Sequence, residues 1–296
     1  MSVPMTPPWR IYPLTPALMI YSDLKKGLLS SLLLLLVNTG QAERLVSLGT
    51  YPTQNLLLLD LVEELVGVTI HEPLEIRQGR EIIGTLWEPN VEKILSLRPD
   101  VVIASKEGNR PQSVNKLKEL HLEVLLLEEV RTFQDACDNL LSIGRRFQRR
   151  KQAEEMVHQM KAELETLRRH RPQRKPTVFF CLGLKPLVTA GRDSFIHRMI
   201  EDAGGENLFG TMAGKYLTIS LEEAVRRNPE VIITLEMEAQ ADPDFWKRYP
   251  GLKAVKSSRV FMVSNELFAN PTPRQYLLAV RYLRQLLFPG RERAGR

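Results

Sequence analysis

Two stretches of this chain say the same thing, and that repetition constrains the fold more than any other feature. WEPNVEKILSLRPDVVIA (87–104) and ISLEEAVRRNPEVIIT (219–234) each set a glutamate, Glu92 or Glu222, seven positions before a proline, Pro99 or Pro229. An acid follows each proline, Asp100 or Glu230, and then an apolar run. The residue before a proline avoids the helical region, so each stretch reads as a short helix, a stop and a buried strand. Two copies in opposite halves of 296 residues predict two lobes of like fold, matching the length prior of about two domains.

The rest of the chain alternates in the same way. Strand-like runs at Arg44–Leu48, Val66–Thr69, Val101–Ala104 and Glu123–Leu127 are separated by helical patterns at Pro52–Leu65, Asn90–Leu97, Pro111–Leu120 and Phe133–Phe147. The second half repeats the scheme. Strands are predicted at Thr177–Leu182, Val231–Leu235 and Arg259–Val263, and helices at Asp193–Ala203, Ser220–Arg227 and Pro273–Phe288. Such alternation predicts an α/β class with two Rossmann-like lobes, each built on a central, mostly parallel sheet. The lobes are expected over 43–147 and 172–290, with a tail at 291–296. Between them, over 148–171, Ala153, Met156, Val157, Met160, Leu164 and Leu167 recur at spacings of three and four. That pattern predicts one long amphipathic helix, a stiff strut about 30 Å in length.

The first 42 residues differ in kind. Lys25 and Lys26 precede the apolar run GLLSSLLLLLV (27–37), and small residues follow at Gly40 and Ala42. This is the layout of a secretory signal peptide cleaved after Ala42. The apolar run falls short of the roughly 20 residues a transmembrane helix needs. Met19 makes a tidier start for such a leader than Met1. No cysteine follows the run to carry a lipid, so the expected location is the periplasm, without a lipid anchor. Without Arg10, Lys25, Lys26 and Asp23 the chain has 38 basic and 34 acidic residues, a net charge of +4. The basic clusters RRFQRRK (145–151) and RRHRPQRK (168–175) flank a helical pattern and carry no nucleic-acid-binding motif, which reads as solvated helix surface rather than a nucleic-acid footprint. Cys137 and Cys181 are expected as two buried free thiols.

Asn90 and Ser220 are good N-caps, and Ser220-Leu221-Glu222-Glu223 also reads as a capping box. Glu92 and Glu222 then sit in first helical turns, where the dipole alone favours an acid by about 0.3–1 kcal/mol. A structural role is therefore sufficient for either. Their duplication permits another: a partner with two-fold symmetry could grip both, one with each subunit.

Several segments carry a family likeness. RLVSLGTYPTQNLLLLDLVEELVGVT, PNVEKILSLRPDVVIA, TAGRDSFIHRMIEDAGGENLF, FWKRYPGLKAVKSSRVFMV and PTPRQYLLAVRYLRQLLFP together resemble the periplasmic substrate-binding proteins of ABC importers for vitamin B12, haem and iron–siderophores. The likeness to the vitamin B12 binders is strongest, through VIASKEGN and GGENLF. The resemblance implies that Glu92 and Glu222 dock against arginines of a permease dimer, which works with its ATPase subunits. It implies a monomeric receptor whose ligand, a cobalamin or related corrinoid, lies between the lobes. The positions matching the family's cleft are Tyr51, His71, Trp87, Leu182, Tyr216 and Glu266. Each has a plain alternative: Trp87 as a plug at the lobe edge, Tyr216 as core, His71 as an exposed loop residue, Glu266 as a surface acid. His71 is also a candidate axial ligand to cobalt or iron, since imidazole suits such metals. The chain departs from the family in places. Leu182 stands at an aromatic position, Gln54 at an acidic one, Trp87 falls one step after the family tryptophan, and the closing loop reads NPTPR (270–274).

Three functions fit these residues. The first is a corrinoid receptor, and the second is the same scaffold carrying haem or a ferric siderophore. The third is an exported α/β enzyme, for which only His71 and Glu266 offer polar candidates. No nucleophile elbow, HExxH, P-loop or GxGxxG motif is present, and the five histidines are scattered. The expectation is a binding protein with no catalytic residues, no cofactor and no resident metal.

Overall fold

The structure, a computed structural model, describes residues 43–236, 242 and 244–289; the leader and the tail expected from the sequence lie outside them. The first half runs β1 (Leu45–Ser47), α1 (Thr50–Leu58), β2 (Leu65–Val68), α2 (Leu74–Arg77), β3 (Glu81–Ile82), α3 (Val91–Ser96), β4 (Val101–Ser105), α4 (Pro111–Glu119), β5 (Glu123–Leu127) and α5 (Phe133–Arg146). Next comes α6 (Arg150–Arg169). The second half runs β6 (Thr177–Leu184), β7 (Leu187–Ala190), α7 (Phe195–Ala203), β8 (Glu206–Asn207), β9 (Tyr216–Thr218), α8 (Leu221–Arg227) and β10 (Val231–Glu236). A 3-10 turn (Phe245–Arg248), α9 (Lys253–Lys256), β11 (Val260–Ser264), α10 (Asn265–Ala269) and α11 (Pro273–Leu287) complete it.

The first sheet has the order β3-β2-β1-β4-β5, and every pairing in it is parallel. The order reverses direction between β1 and β4, and open α/β sheets bind ligands at the carboxyl ends of strands at such a point. The second sheet has the order β11-β10-β6-β7-β9, with β8 beside β6. Its β11-β10-β6 part is parallel, but β7 and β9 run antiparallel. The sequence reading stopped the first strand at Leu182 and missed this hairpin. The strand continues to Leu184 and returns at Leu187.

One predicted helix is too long. Pro52–Leu65 was expected to be helical throughout, yet α1 ends at Leu58. Asp60 takes a left-handed φ of 55°, and the N–H of Leu61 returns to the carbonyl of Leu56 at 3.0 Å. The string NLLLLDLVEELV carries apolar residues at both helical and strand spacings, so local pattern alone could not place the break.

The duplicated motif has a structural half, and it is the same in both lobes. Arg98 and Asn228, each directly before the proline, take left-handed φ values of 46° and 50° and end their helices. Beyond the buried prolines, the Asp100 carboxylate accepts from the N–H of Arg44 at 2.6 Å. The Glu230 carboxylate accepts from the N–H of Thr177 at 3.1 Å. Each acid thereby pins the start of the central strand of its sheet, satisfying a backbone donor that no neighbouring strand reaches.

Helix α6 buries Ala153, Val157 and Leu164 in a core that continues into both lobes, from Leu45 and Phe133 to Ile200 and Tyr276. Phe133 and Tyr276 meet with ring centroids 5.3 Å apart. At its end α6 is tied to the second lobe by Asp202, a buried carboxylate. It accepts from Arg168 at 2.9 and 3.0 Å, from Arg171, and from the Tyr276 hydroxyl at 2.9 Å. Asp202→Ala leaves that hydroxyl buried without a partner, while the partly exposed arginines regain water. The expected cost is about 2 kcal/mol, read as a lowered urea midpoint with an unchanged slope. Cys137 and Cys181 are buried and unpaired, as expected, and burial pushes both thiols up to about 12, away from the reactive thiolate range.

Candidate functional site

A cavity of about 250 Å³ opens between the sheets at the β1/β4 reversal. The residues following β1 (Thr50, Tyr51, Pro52) and β4 (Glu107, Gly108) form its floor, with Leu86 and Trp87 on one side. Ala269, Asn270 and Pro271 from the end of α10 close it from the second lobe. Thr50 donates from its hydroxyl to the Asn270 side-chain oxygen at 2.9 Å across the lobes.

Of the six cleft residues expected from the sequence, Tyr51 and Trp87 line this cavity. The Tyr51 hydroxyl accepts from the Asn139 amide at 2.9 Å, and burial pushes its pKa well up, so it stays neutral. Trp87 is 52% exposed and stands edge-on to His71, ring centroids 5.5 Å apart. His71 therefore reaches the site as a neighbour of Trp87. Among the described residues no three metal-ligating side chains gather. Leu182 is partly buried in β6 and packs on the core rather than lining the cavity. Tyr216 is half exposed on β9, with the Lys215 ammonium 5.4 Å from its ring. Glu266 is exposed in the first turn of α10, where Ser264 accepts from its backbone N–H at 3.2 Å.

Residues the sequence reading passed over hold the site together. Asn109 donates to the carbonyls of Leu48 and Leu86 at 2.8 Å each and accepts from the N–H of Ser105 at 2.8 Å, stitching three cleft loops. A side chain on Gly108 would meet Leu86 at 2.8 Å, so this glycine is the space Leu86 fills. Glu72 is buried behind the floor, within 3.0 Å of the Thr53 hydroxyl, and burial pushes its carboxyl up to about 7. Lys215 donates to Glu129 at 2.9 Å and to Glu107, joining the second lobe to the first. The signals for these in the sequence were their positions in loops and, for Glu107, Gly108 and Asn109, their place in VIASKEGN.

Glu92 and Glu222 are both exposed, each the second residue of its helix. Asn90 caps α3 by accepting from the N–H of Lys93 at 2.9 Å, and Ser220 caps α8 through the N–H of Glu223 at 3.1 Å. The capping box read at Ser220 is only half formed. The Glu223 carboxylate turns to Arg226 and Arg227 instead of the cap, because two charge-assisted bonds outcompete one to a backbone N–H. Hydrogen bonds from its own N–H and from Ser220 hold Glu222 below the usual glutamate range, so it is ionised at neutral pH.

The sequence profile of the periplasmic binding protein family matches residues 45–267. The vitamin B12-binding protein of Vibrio cholerae is 27% identical over 247 residues, 81% of this chain and 87% of its own. Among solved structures, the periplasmic vitamin B12 binding protein BtuF of Vibrio cholerae superposes with a TM-score of 0.72 at 26% identity, covering 83% of this chain and 96% of that one. The periplasmic heme binding protein HutB of the same organism shares the fold, with a TM-score of 0.75 at 19% identity, over 84% and 100% of the two chains. With two α/β lobes, a cleft at the strand ends and this match across both lobes, the chain belongs to the periplasmic binding protein family, the substrate receptors of ABC importers.

Proposed function

We propose that this protein is a periplasmic receptor that binds cobalamin or a related corrinoid between its lobes and delivers it to an ABC importer, without catalysing a reaction. The observation that carries the proposal is the cavity wall. Tyr51, Pro52, Leu86, Trp87 and Val130 offer an apolar and aromatic surface, and Thr50, Glu107 and Asn270 offer a few fixed polar atoms. A flat macrocycle edged with amides needs that division of labour. The similar vitamin B12-binding proteins support the same cargo. Delivery uses Glu92 and Glu222 as the two contacts with the permease dimer, one per subunit.

The cavity is smaller than the ~300–1,000 Å³ of pockets that enclose drug-sized ligands. A corrinoid is larger still, so the lobes part to admit it. Titrating the exported, purified protein with cyanocobalamin and with haemin tests the cargo, because each changes its visible bands on binding. Cyanocobalamin is expected to bind at least tenfold more tightly than haemin, and Trp87→Ala to weaken it roughly tenfold through the lost ring contact. Preference for haemin would replace the corrinoid by haem on the same scaffold, and turnover of either ligand would point to an enzyme.

A further inference from the structure

The lobes share a continuous core behind the cleft, so they can separate only at the front, where polar groups join them. Lys215 is the centre of that junction. Its ammonium donates to Glu107, which follows β4, and to Glu129, which follows β5, at 2.9 Å for the latter. Hydrogen bonds from Lys215 first, and from Arg131 second, hold Glu129 below the usual carboxylate range. Burial pulls the Lys215 ammonium down, but the bonds to both acids outweigh it and leave its pKa raised.

The loop that carries Lys215 is built to hold it there. The N–H groups of Gly191, Arg192 and Asp193 donate to the carbonyls of Lys215, Met212 and Gly214 at 3.0, 2.9 and 3.1 Å. The Asp193 carboxylate accepts from the N–H of Gly214 at 2.7 Å. Gly214 sits at φ 115°, which only glycine adopts without strain, and a side chain at Gly191 would strike the Gly214 carbonyl. The ammonium is thus fixed over two acceptors, one of which lines the cavity.

We propose that Glu107 and Glu129 are the acceptor pair for hydrogen-bond donors on the cargo, and that Lys215 occupies them as an inter-lobe latch until those donors replace it. The proposal rests on the corrinoid reading, and it names the chemistry recognised: uncharged amide N–H groups on the rim of a macrocycle. A cargo bearing carboxylates instead meets two acids of like charge, so the same triad selects against it. The latch is weak enough to yield. Lys215, Glu107 and Glu129 retain 21%, 30% and 33% of their side-chain exposure, and ion pairs that wet are screened by salt.

The test compares Lys215→Met, Lys215→Arg and the double variant Glu107→Ala with Glu129→Ala. Spin labels placed on exposed Glu119 and Lys256, one in each lobe, report the separation in ligand-free protein. Cyanocobalamin, and the carboxylic acids made by hydrolysing its amides, are the probes of binding. The label distance is expected to lengthen in Lys215→Met, in the double variant and in wild type at 1 M salt, and to stay in Lys215→Arg. Affinity for cyanocobalamin moves in opposite directions: about fivefold tighter in Lys215→Met, because the cargo's donors no longer compete with the latch, and at least tenfold weaker in the double variant. Wild type discriminates against the hydrolysed probe, and the double variant does not. Unchanged distances overturn the latch whatever the cargo. Unchanged affinity in the double variant overturns the acceptor pair while wild-type binding keeps the corrinoid reading. Failure of wild type to bind cyanocobalamin sinks that reading and the acceptor pair with it.

Discussion

Reversing both acids proposed to dock on the permease, Glu92→Arg with Glu222→Arg, is expected to abolish uptake of the cargo in cells while leaving its affinity for the purified receptor within about twofold of wild type. The two glutamates are exposed and are not among the residues that line the cavity. Neither is needed to cap its helix, since Asn90 and Ser220 perform that task with their own side chains. Beyond the helix dipole, the role proposed for them is to present charge at corresponding places in two like lobes. Exposed pairs of this kind set orientation and encounter rate more than affinity, and placing like charges opposite each other costs several kcal/mol. Either single reversal leaves one correct contact and should lower uptake about tenfold or more; the double leaves none. The measurement is cell uptake of labelled cargo beside titration of the purified variants. Uptake that persists in the double variant, with the protein present in the periplasm at wild-type level, removes both residues from the interface.

The repeat from which the fold was read proves to hold two functions in one phrase, and only one of them was visible locally. Helix, stop and strand follow from periodicity and proline, which act over a few residues, so Val91–Ser96 and Leu221–Arg227 were legible. The role of Asp100 and Glu230 was not, because their partners Arg44 and Thr177 lie 56 and 53 residues away in the chain. The cleft shows the same division. Tyr51 and Trp87, which line the cavity, were picked out by the family likeness. Lys215 looked like any loop lysine, since Glu107 and Glu129 stand 108 and 86 residues before it. Leu182 was assigned by a matching position alone, and its side chain packs on the core. A strand's side chains alternate between faces, and only the register of β6 against its neighbours decides which face a residue takes.

Glu72 shows how far burial can depart from what residue type suggests, and it supplies the largest stability effect expected here. An acid between His71 and Pro73 reads as an exposed turn. Instead it is 3% exposed, with the Thr53 hydroxyl at 3.0 Å and the Ser47 hydroxyl 2.8 Å beyond. Burial pushes its pKa up to about 7, and the hydrogen bond to Thr53 only partly offsets this. The folded state therefore holds a proton on Glu72 at pH values where the unfolded chain, titrating near 4.5, has released it. Native protein binds more protons than unfolded protein between those values, so this group makes stability fall as pH rises from about 4.5 to about 7, and flat on either side. The span corresponds to about 3 kcal/mol. Glu72→Gln keeps an acceptor toward Thr53 but cannot ionise. It is expected to unfold at roughly 6–9 °C above wild type at pH 8, with the gap closing by pH 4.5. Taking the difference between the two proteins at each pH cancels every other titrating group, including His197, whose folded pKa is depressed by burial. A gap independent of pH would place the Glu72 carboxyl in contact with water. A gap that grows toward acid would mean that the carboxylate, rather than the acid, is the form the fold prefers.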